Sequence, residues 1–302
     1  MNLKNKKILV TGSSGFIGSN LIKKLENIQA LVDPFDLKLG NHLENDKELT
    51  KFIKGQYDII FHLAGFSGSW ESNLNRKKCF KINVLASVSL LELISKYSPR
   101  TKLILSSSRL EYGIPKYLPV DENHPTEPIS FYGLTKLLAT QMALVYNRRY
   151  NLDITIFRTS NVYGSHSNNK FSGYNLINHF MDQAFKNQVL IIFGEGKQLR
   201  DYLYVDDLTE AFLKAAQSPK SSGQIYNLGY GKGIEIAQMA KLIVRLAGRG
   251  KLVFRPWPSK IREVETGSYV TDITKIKKDL DFAPKISFQE GIKRVITKNE
   301  NL

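Results

Sequence analysis

"LVTGSSGFIGSN", Leu9 to Asn20, decides the reading of this chain. It joins the apolar run "KKILVTG" to a stretch with Ile17, Leu21, Leu25 and Ile28 at helical spacing. Between them stand Gly12, Gly15 and Gly18. A strand that passes through glycines into an amphipathic helix can wrap its backbone around the phosphates of a dinucleotide. Gly12 allows the tight turn, Gly15 lets the main chain approach a pyrophosphate, and Gly18 lets the helix pack close to the strand. The helix start adds free N–H groups and the positive end of its dipole. Such sites need an acid about 20 residues on to accept the ribose hydroxyls. "LVDPFD" offers two, Asp33 and Asp36, and Pro34 breaks up the strand between them, so both stay open. Either carboxylate would repel a 2′-phosphate, which favours NAD over NADP.

Composition bounds the rest. A chain of 302 residues has room for a large core and one or two domains. A hydrophobic fraction of 42% excludes a disordered chain. No apolar run approaches the ~20 residues of a membrane span. The start carries no signal-peptide pattern. Cys79 is the only cysteine, so no intramolecular disulfide is possible. The expectation is a cytoplasmic protein with no membrane insertion. The net charge of +15 admits a solvated lysine-rich surface, attraction for anionic substrates, or nucleic acid. The lysines are scattered and no nucleic-acid-binding signature is present, which argues against the last.

Strand-like and helical stretches alternate through the first half. After "KKILVTG" come "IQALVDPFD", the short helix "KELTKFIKG", "YDIIFHLAG", the apolar helix "NVLASVSLLELISKY", "TKLILSSS", a helix from about 130 to 150, and "LDITIFRTSNVYG". This alternation predicts an α/β fold: a Rossmann-type doubly wound parallel sheet covered on both faces. A smaller, mixed C-terminal region follows. We expect a NAD-binding domain over 1–165, its sheet continued by about 187–216. A substrate region would comprise 166–186 and 217–302.

"SFYGLTKLLATQMAL" holds Tyr132 and Lys136, four apart and so on one helical face. An ordinary phenol, with a pKa near ~10, is a poor base at neutral pH. A nearby ammonium would favour the phenolate. Such a pair can take a proton from a sugar hydroxyl while hydride leaves the same carbon for NAD.

Upstream, "ILSSSRLEYG" is a strand ending in serines. The succession of the glycine loop, "HLAG", "SSSRLEYG", "YGLTK", "RTSNVYG" and "GEGKQLRDYLYVDDL" resembles the extended short-chain dehydrogenase/reductase family. Within it the likeness is to the NAD-dependent nucleotide-sugar epimerases and dehydratases of UDP-glucose 4-epimerase-like type. It covers residues 7 to about 296. The resemblance implies that Ser108 hydrogen-bonds the sugar hydroxyl, that Tyr132 is the base, and that Lys136 is its partner and a ribose ligand. It places Phe16, Ile17, Leu63, Ala64, Gly65 and Ser106 along the cofactor, with Ser106 and Ser107 in structural roles. Asn83 would brace that region. Asn161, Arg200 and Arg262 would hold the sugar nucleotide's phosphates, which guanidinium forks suit. Tyr269 would limit room for an N-acetyl group, and Asp207 would organise structure. Relatives are often homodimers through two long helices, here 83–97 and 130–150.

Departures narrow the activity. Dehydratases of this type carry an acidic pair directly after the catalytic Ser or Thr, and here Arg109 and Leu110 stand there. Glu111 is one place late. Family decarboxylases want a glutamate where Leu110 stands. Epimerase/reductases that use a cysteine and a histidine would need partners for Cys79 or His166, and neither has one. His62 reads as structural, and no histidine–cysteine pattern suggests a metal. What remains is a nucleotide-sugar 4-epimerase. A 4-reductase or dehydrogenase of the same family is the alternative, and a non-catalytic NAD-sensing or RNA-binding protein on the same fold is more distant.

Overall fold

The computed structural model describes residues 2–165 and 176–300. Strands β1 (Lys7–Thr11), β2 (Leu31–Phe35), β3 (Ile59–His62), β4 (Lys102–Ser108) and β5 (Ile154–Thr159) are followed by β6 (Asn161–Tyr163), β7 (Val189–Phe193), β8 (Leu199–Tyr204), β9 (Ile225–Leu228), β10 (Gly233–Glu235) and β11 (Lys251–Arg255). Six form one parallel sheet in the order β2-β1-β3-β4-β5-β9. The chain leaves β1 to one side for β2 and crosses to the other for β3. Ligands of such sheets bind at that reversal, at the carboxyl ends of the strands.

The strands are apolar throughout because both faces are covered. Ile8 and Val10 of β1 face one cluster with Leu21 and Leu25 of the Phe16–Asn27 helix, Leu208 and Phe212 of Val205–Gln217, and Ile276 and Leu280 of Thr274–Leu280. Leu9, between them, faces the other cluster, with Leu49, Leu90, Ile94 and Ala143 from helices Asp46–Ile53, Ala86–Tyr97 and Phe131–Tyr150. Alternation along the strand produces this division. Leu21 and Leu25 are fully buried, and each contributes about 2 kcal/mol.

A second core lies beyond the sheet. It joins Tyr163, Leu190, Ile192, Tyr202 and Tyr204 with helices Leu176–Phe185, Ile236–Ala247 and Phe288–Glu300. Here the structure corrects the expected division of the chain. Within 187–216, the Val205–Gln217 helix and Leu203 of β8 pack on the main sheet, but neither strand joins it. β8 pairs with β6 and β10, and β7 pairs with β11. The sixth strand of the main sheet is β9, from the span assigned to the substrate region. Hydropathy shows that "VLIIF" is a strand, but not that "KLVFR", distant in sequence, is its partner.

Candidate active site

The glycine loop is built as its spacing requires. Gly12 has φ +71°, and a Cβ there would lie 2.7 Å from the Ala64 nitrogen. A Cβ on Gly18 would run into the Gly12 carbonyl. Gly15 stands at the N-cap of the Phe16–Asn27 helix and makes no side-chain cap bond, and no acid stands in the first turn. The buried Ser13 Oγ has no hydrogen-bond partner among the described residues. An orphan hydroxyl, a helix start with no acid in its first turn and a floor only glycine fits make this a cradle for an anion such as a pyrophosphate.

Thr11 and His62, paired across β1 and β3, meet at 2.8 Å from Oγ1 to Nδ1, and the far ring nitrogen lies 3.1 Å from Ser87 Oγ. Burial pushes the His62 pKa down to about 3, so it is a neutral, structural histidine as expected. Asp36 follows β2. Its carboxylate accepts from the Ser14 N–H at 3.0 Å and the Lys38 N–H at 2.9 Å, which joins the phosphate cradle to the cavity's far end. Asp33 lies off the cavity and accepts from the Tyr57 hydroxyl at 2.8 Å. This removes Asp33 from the site. It sits inside β2, three residues or roughly 10 Å short of Asp36 at the sheet's carboxyl edge.

One cavity of about 700 Å³ runs along that edge. Its walls include Gly12, Gly15, Phe16, Ile17, Gly18, Asp36, Leu63, Ala64, Gly65, Asn83, Ser106, Ser108, Tyr132, Lys136, Asn161 and Arg200. The volume is in the range of small-molecule sites. The residues fit a dinucleotide, with a pyrophosphate cradle at one end and a ribose-directed carboxylate beyond it.

β4 delivers Ser108 and the Phe131–Tyr150 helix delivers Tyr132 and Lys136. Ser130 caps that helix, accepting from the Gly133 N–H at 3.1 Å. Gly133 is required because a Cβ would strike the Leu110 carbonyl and Pro128. Ser108 Oγ caps the next turn by accepting from the Leu110 N–H at 3.2 Å. Burial pushes the Tyr132 phenol up to about 12, and the neighbouring Ser108 hydroxyl opposes the rise. Burial pushes Lys136 down to about 8, while Glu111 and Cys79 favour its charged form. Its ammonium donates to the Ser106 carbonyl. At neutral pH Lys136 is still mostly a cation. The influences that reach Tyr132 are burial, Ser108, Cys79 and Glu111.

Asn83 lines the cavity and ties the Phe66 segment to the Phe131–Tyr150 helix. Its Oδ1 accepts from the Phe66 N–H at 2.7 Å, and its Nδ2 donates to the Phe66 carbonyl at 3.0 Å and to Thr135 Oγ1 at 3.0 Å. It sits in a π-helical turn, Lys81–Leu85. Such turns are frequent at functional sites, and nothing in "KINVL" announces one. Sequence reasoning also missed the role of Glu111. This residue points into the core, and its carboxylate accepts from Ser107 Oγ, from Thr140 Oγ1 at 2.7 Å and from Arg158 Nε at 2.7 Å. The departure from a dehydratase-like acid is therefore structural as well as positional.

Elsewhere on the cavity wall, Asn161 Nδ2 donates to the Asp201 carbonyl at 3.1 Å. Arg200, on β8, pairs with Glu265 and donates to the Gly267 carbonyl. Asp201 is buried and accepts from the Tyr230, Gly231 and Thr271 N–H groups, an anchoring role the sequence did not disclose. Asp207 accepts from the Lys285 and Ile286 N–H groups, an organising role as expected. Two expected substrate residues do not line the cavity. Arg262 is exposed on the short Ser259–Arg262 helix. Tyr269 is buried behind the wall, with the Arg109 guanidinium 5.0 Å above its ring. His166 lies outside the described residues. Among the described residues no cluster could hold a metal ion, and no helix is long and apolar enough to cross a membrane.

The family model described as "NAD dependent epimerase/dehydratase family" matches residues 8–229. A provisionally named UDP-glucose 4-epimerase of Methanocaldococcus jannaschii is 36% identical, over 97% of this chain and 99% of its own. The CDP-paratose 2-epimerase of Salmonella typhi is 29% identical, over 96% of this chain and 98% of its own. The crystal structure of UDP-glucose 4-epimerase from Thermotoga maritima, with UDP-glucose, superposes with a TM-score of 0.90 at 28% identity, covering 98% of this chain and 99% of that one. The chain thus belongs to the NAD-dependent epimerase/dehydratase family of nucleotide-sugar enzymes.

Proposed function

We propose that this protein is a nucleotide-sugar 4-epimerase working through a transient 4-keto sugar. One observation carries the reading. Ser108, Tyr132 and Lys136 converge on the cavity that holds the glycine cradle, while no carboxylate follows Ser108 into it. Removal of water or carbon dioxide from the sugar needs a further acid or base beside the ring. Oxidation and reduction at C4 need only one proton carrier and one hydride carrier.

When bound, NAD supplies the reversible hydride acceptor. Gly12, Gly15 and Gly18 would hold its pyrophosphate, Asp36 its adenine-side ribose, and Leu63, Ala64, Gly65 and Asn83 the nicotinamide side. Ser108 Oγ would hold the sugar's C4 hydroxyl against Tyr132 Oη. Tyr132 would take that proton and return it after the sugar has turned over. A phenol pushed up to about 12 stays protonated at neutral pH, so it serves as a base only with positive charge close by to stabilise the phenolate. Lys136 would supply part of that charge and hold the ribose, its distance from water keeping the field strong. Arg200 and Asn161 would meet the substrate's diphosphate.

The exposed apolar residues Phe131, Leu134 and Val145 lie along one side of the Phe131–Tyr150 helix, and Leu85 lies on the neighbouring turn. They support a homodimer packed through these helices. A cytoplasmic setting suits nucleotide-sugar chemistry. Incubating the purified protein with UDP-, GDP-, CDP- and dTDP-sugars tests the reading. We expect the C4 epimer of one of them, with no net change in nicotinamide absorbance. Only unchanged sugars, deoxy-keto products or stoichiometric cofactor turnover would contradict it.

A further inference from the structure

Resting on the reading of Tyr132 as the proton carrier, we infer that Ser72 and Thr135 are positioning residues: they clamp the main chain of Tyr132, at its N–H and at its carbonyl, to the cavity wall that would carry the nicotinamide. The first N–H groups of a helix have no partner in its own turns. In the Phe131–Tyr150 helix Ser130 accepts from the Gly133 N–H. The Phe131 and Tyr132 N–H groups turn instead to another element, the short Ser69–Leu74 helix. Asn73 Oδ1 accepts the first at 3.0 Å and Ser72 Oγ the second at 2.9 Å. Ser72 is fully buried and spends its own proton on the Ser69 carbonyl at 2.8 Å, which leaves a lone pair for Tyr132. The Arg76 guanidinium, 5.0 Å from the Phe131 ring, adds a second contact between the same two segments.

The Tyr132 carbonyl is held from the same direction. Thr135 Oγ1 donates to it at 2.9 Å. Thr135 accepts in turn from Asn83, which grips both main-chain groups of Phe66. Phe66 and Ser67 line the cavity directly after Leu63, Ala64 and Gly65, and the chain runs on through Gly68 into the helix that carries Ser72. The bonds therefore close a ring: Phe66 to Asn83, Thr135, Tyr132 and Ser72, then back along the chain. Asn83, Thr135 and Ser72 are all buried, so a lost hydroxyl leaves a polar group unpaired. A helix start needs only a cap, and Ser130 supplies one. What the ring adds is a fixed separation between two elements. Hydride leaves the sugar toward the wall and the proton leaves toward a phenol on the helix, so the two must be in register. A misplacement of about 1 Å can cost about a hundredfold in rate. The ring sets that register at the Tyr132 main chain, from which the phenol is aimed.

Position 135 separates positioning from packing. Thr135→Ser keeps the hydroxyl and loses a methyl group, whereas Thr135→Val keeps the volume and loses the hydroxyl. We expect Thr135→Val and Ser72→Ala to lower kcat for C4 epimerisation by about tenfold or more with KM within about twofold, and Thr135→Ser to keep most of kcat. NAD content, measured after denaturation, should stay that of wild type in all three. Hydrogen exchange at the start of the Phe131–Tyr150 helix of the purified holoprotein should quicken in Thr135→Val and Ser72→Ala but not in Thr135→Ser. If Ser72→Ala fails to fold, the two Thr135 variants decide the case. Equal kcat for Thr135→Val and Thr135→Ser, a rise in KM without a fall in kcat, or loss of NAD in step with activity would overturn the inference while the epimerase reading stands. If no sugar is epimerised by the wild type, the epimerase reading fails, and unchanged exchange at the helix start overturns the clamp separately.

Discussion

Glu111→Gln is the sharpest probe of how this site is held. The side chain of Glu111 is fully buried and that of its partner Arg158 is 4% exposed. The amide keeps the shape of the carboxylate, so no cavity opens and the cost is electrostatic. Arg158 would keep the Tyr112 hydroxyl, at 2.9 Å, and the Tyr112 ring beneath it, but no counter-ion. Breaking a buried pair from one side costs about 3–5 kcal/mol. In a protein stable by roughly 5–15 kcal/mol, that is a large part of the whole. At roughly 2–4 °C per kcal/mol, we expect thermal unfolding to fall by about 10 °C. The double variant Glu111→Gln/Arg158→Met removes both charges and should recover at least half of the loss. A single variant within about 1 kcal/mol of wild type, or a double variant as unstable as the sum of its parts, would refute the reasoning.

Other outcomes follow from the same geometry. Tyr132→Phe should cut kcat at least a hundredfold with little change in KM, as for loss of a proton carrier. A drop of less than tenfold in steady-state assays would remove Tyr132 from that role. Gly18→Ala drives a Cβ into the Gly12 carbonyl, so the purified variant should carry little NAD when its nucleotide content is measured after denaturation. Full NAD content would contradict the cradle. Burial lowers Lys136 to about 8 in the folded state, below its ordinary value near ~10.5. Below about pH 8 the charge is present in both states and its burial penalty is complete. Between these values the unfolded chain binds more protons, so stability should rise with pH, and Lys136→Met should lack that rise in denaturant titrations. Activity should fall over the same interval as the cation is lost. Asp36→Asn should shift cofactor preference toward NADP by at least tenfold in binding assays.

The parts legible in the sequence are those written in local spacing. Alternating apolar runs and helical periods disclosed the parallel sheet. The glycine intervals, and the four-residue step from Tyr132 to Lys136, disclosed two ends of one cavity. Long-range pairing was not legible. "IYNL" is less apolar than "VLIIF", yet it joins the main sheet because Gly223 and Gln224 hydrogen-bond to β5. The Glu111–Arg158 pair depends on the register that sets Ser107 opposite Arg158, which neither strand reveals alone. Tyr269 and Arg262 matched a family pattern in order, but order does not say which side chains reach a wall.

Hydride return is the claim on which the account turns. The most direct measurement uses a nucleotide sugar carrying deuterium at C4, epimerised in ordinary water and followed by NMR. The label should stay at C4 of the inverted product, because the hydride that leaves that carbon returns to it. Loss of the label to solvent would mean that C4 inverts by proton exchange, and the role given to Ser108, Tyr132 and the cavity around them would be wrong.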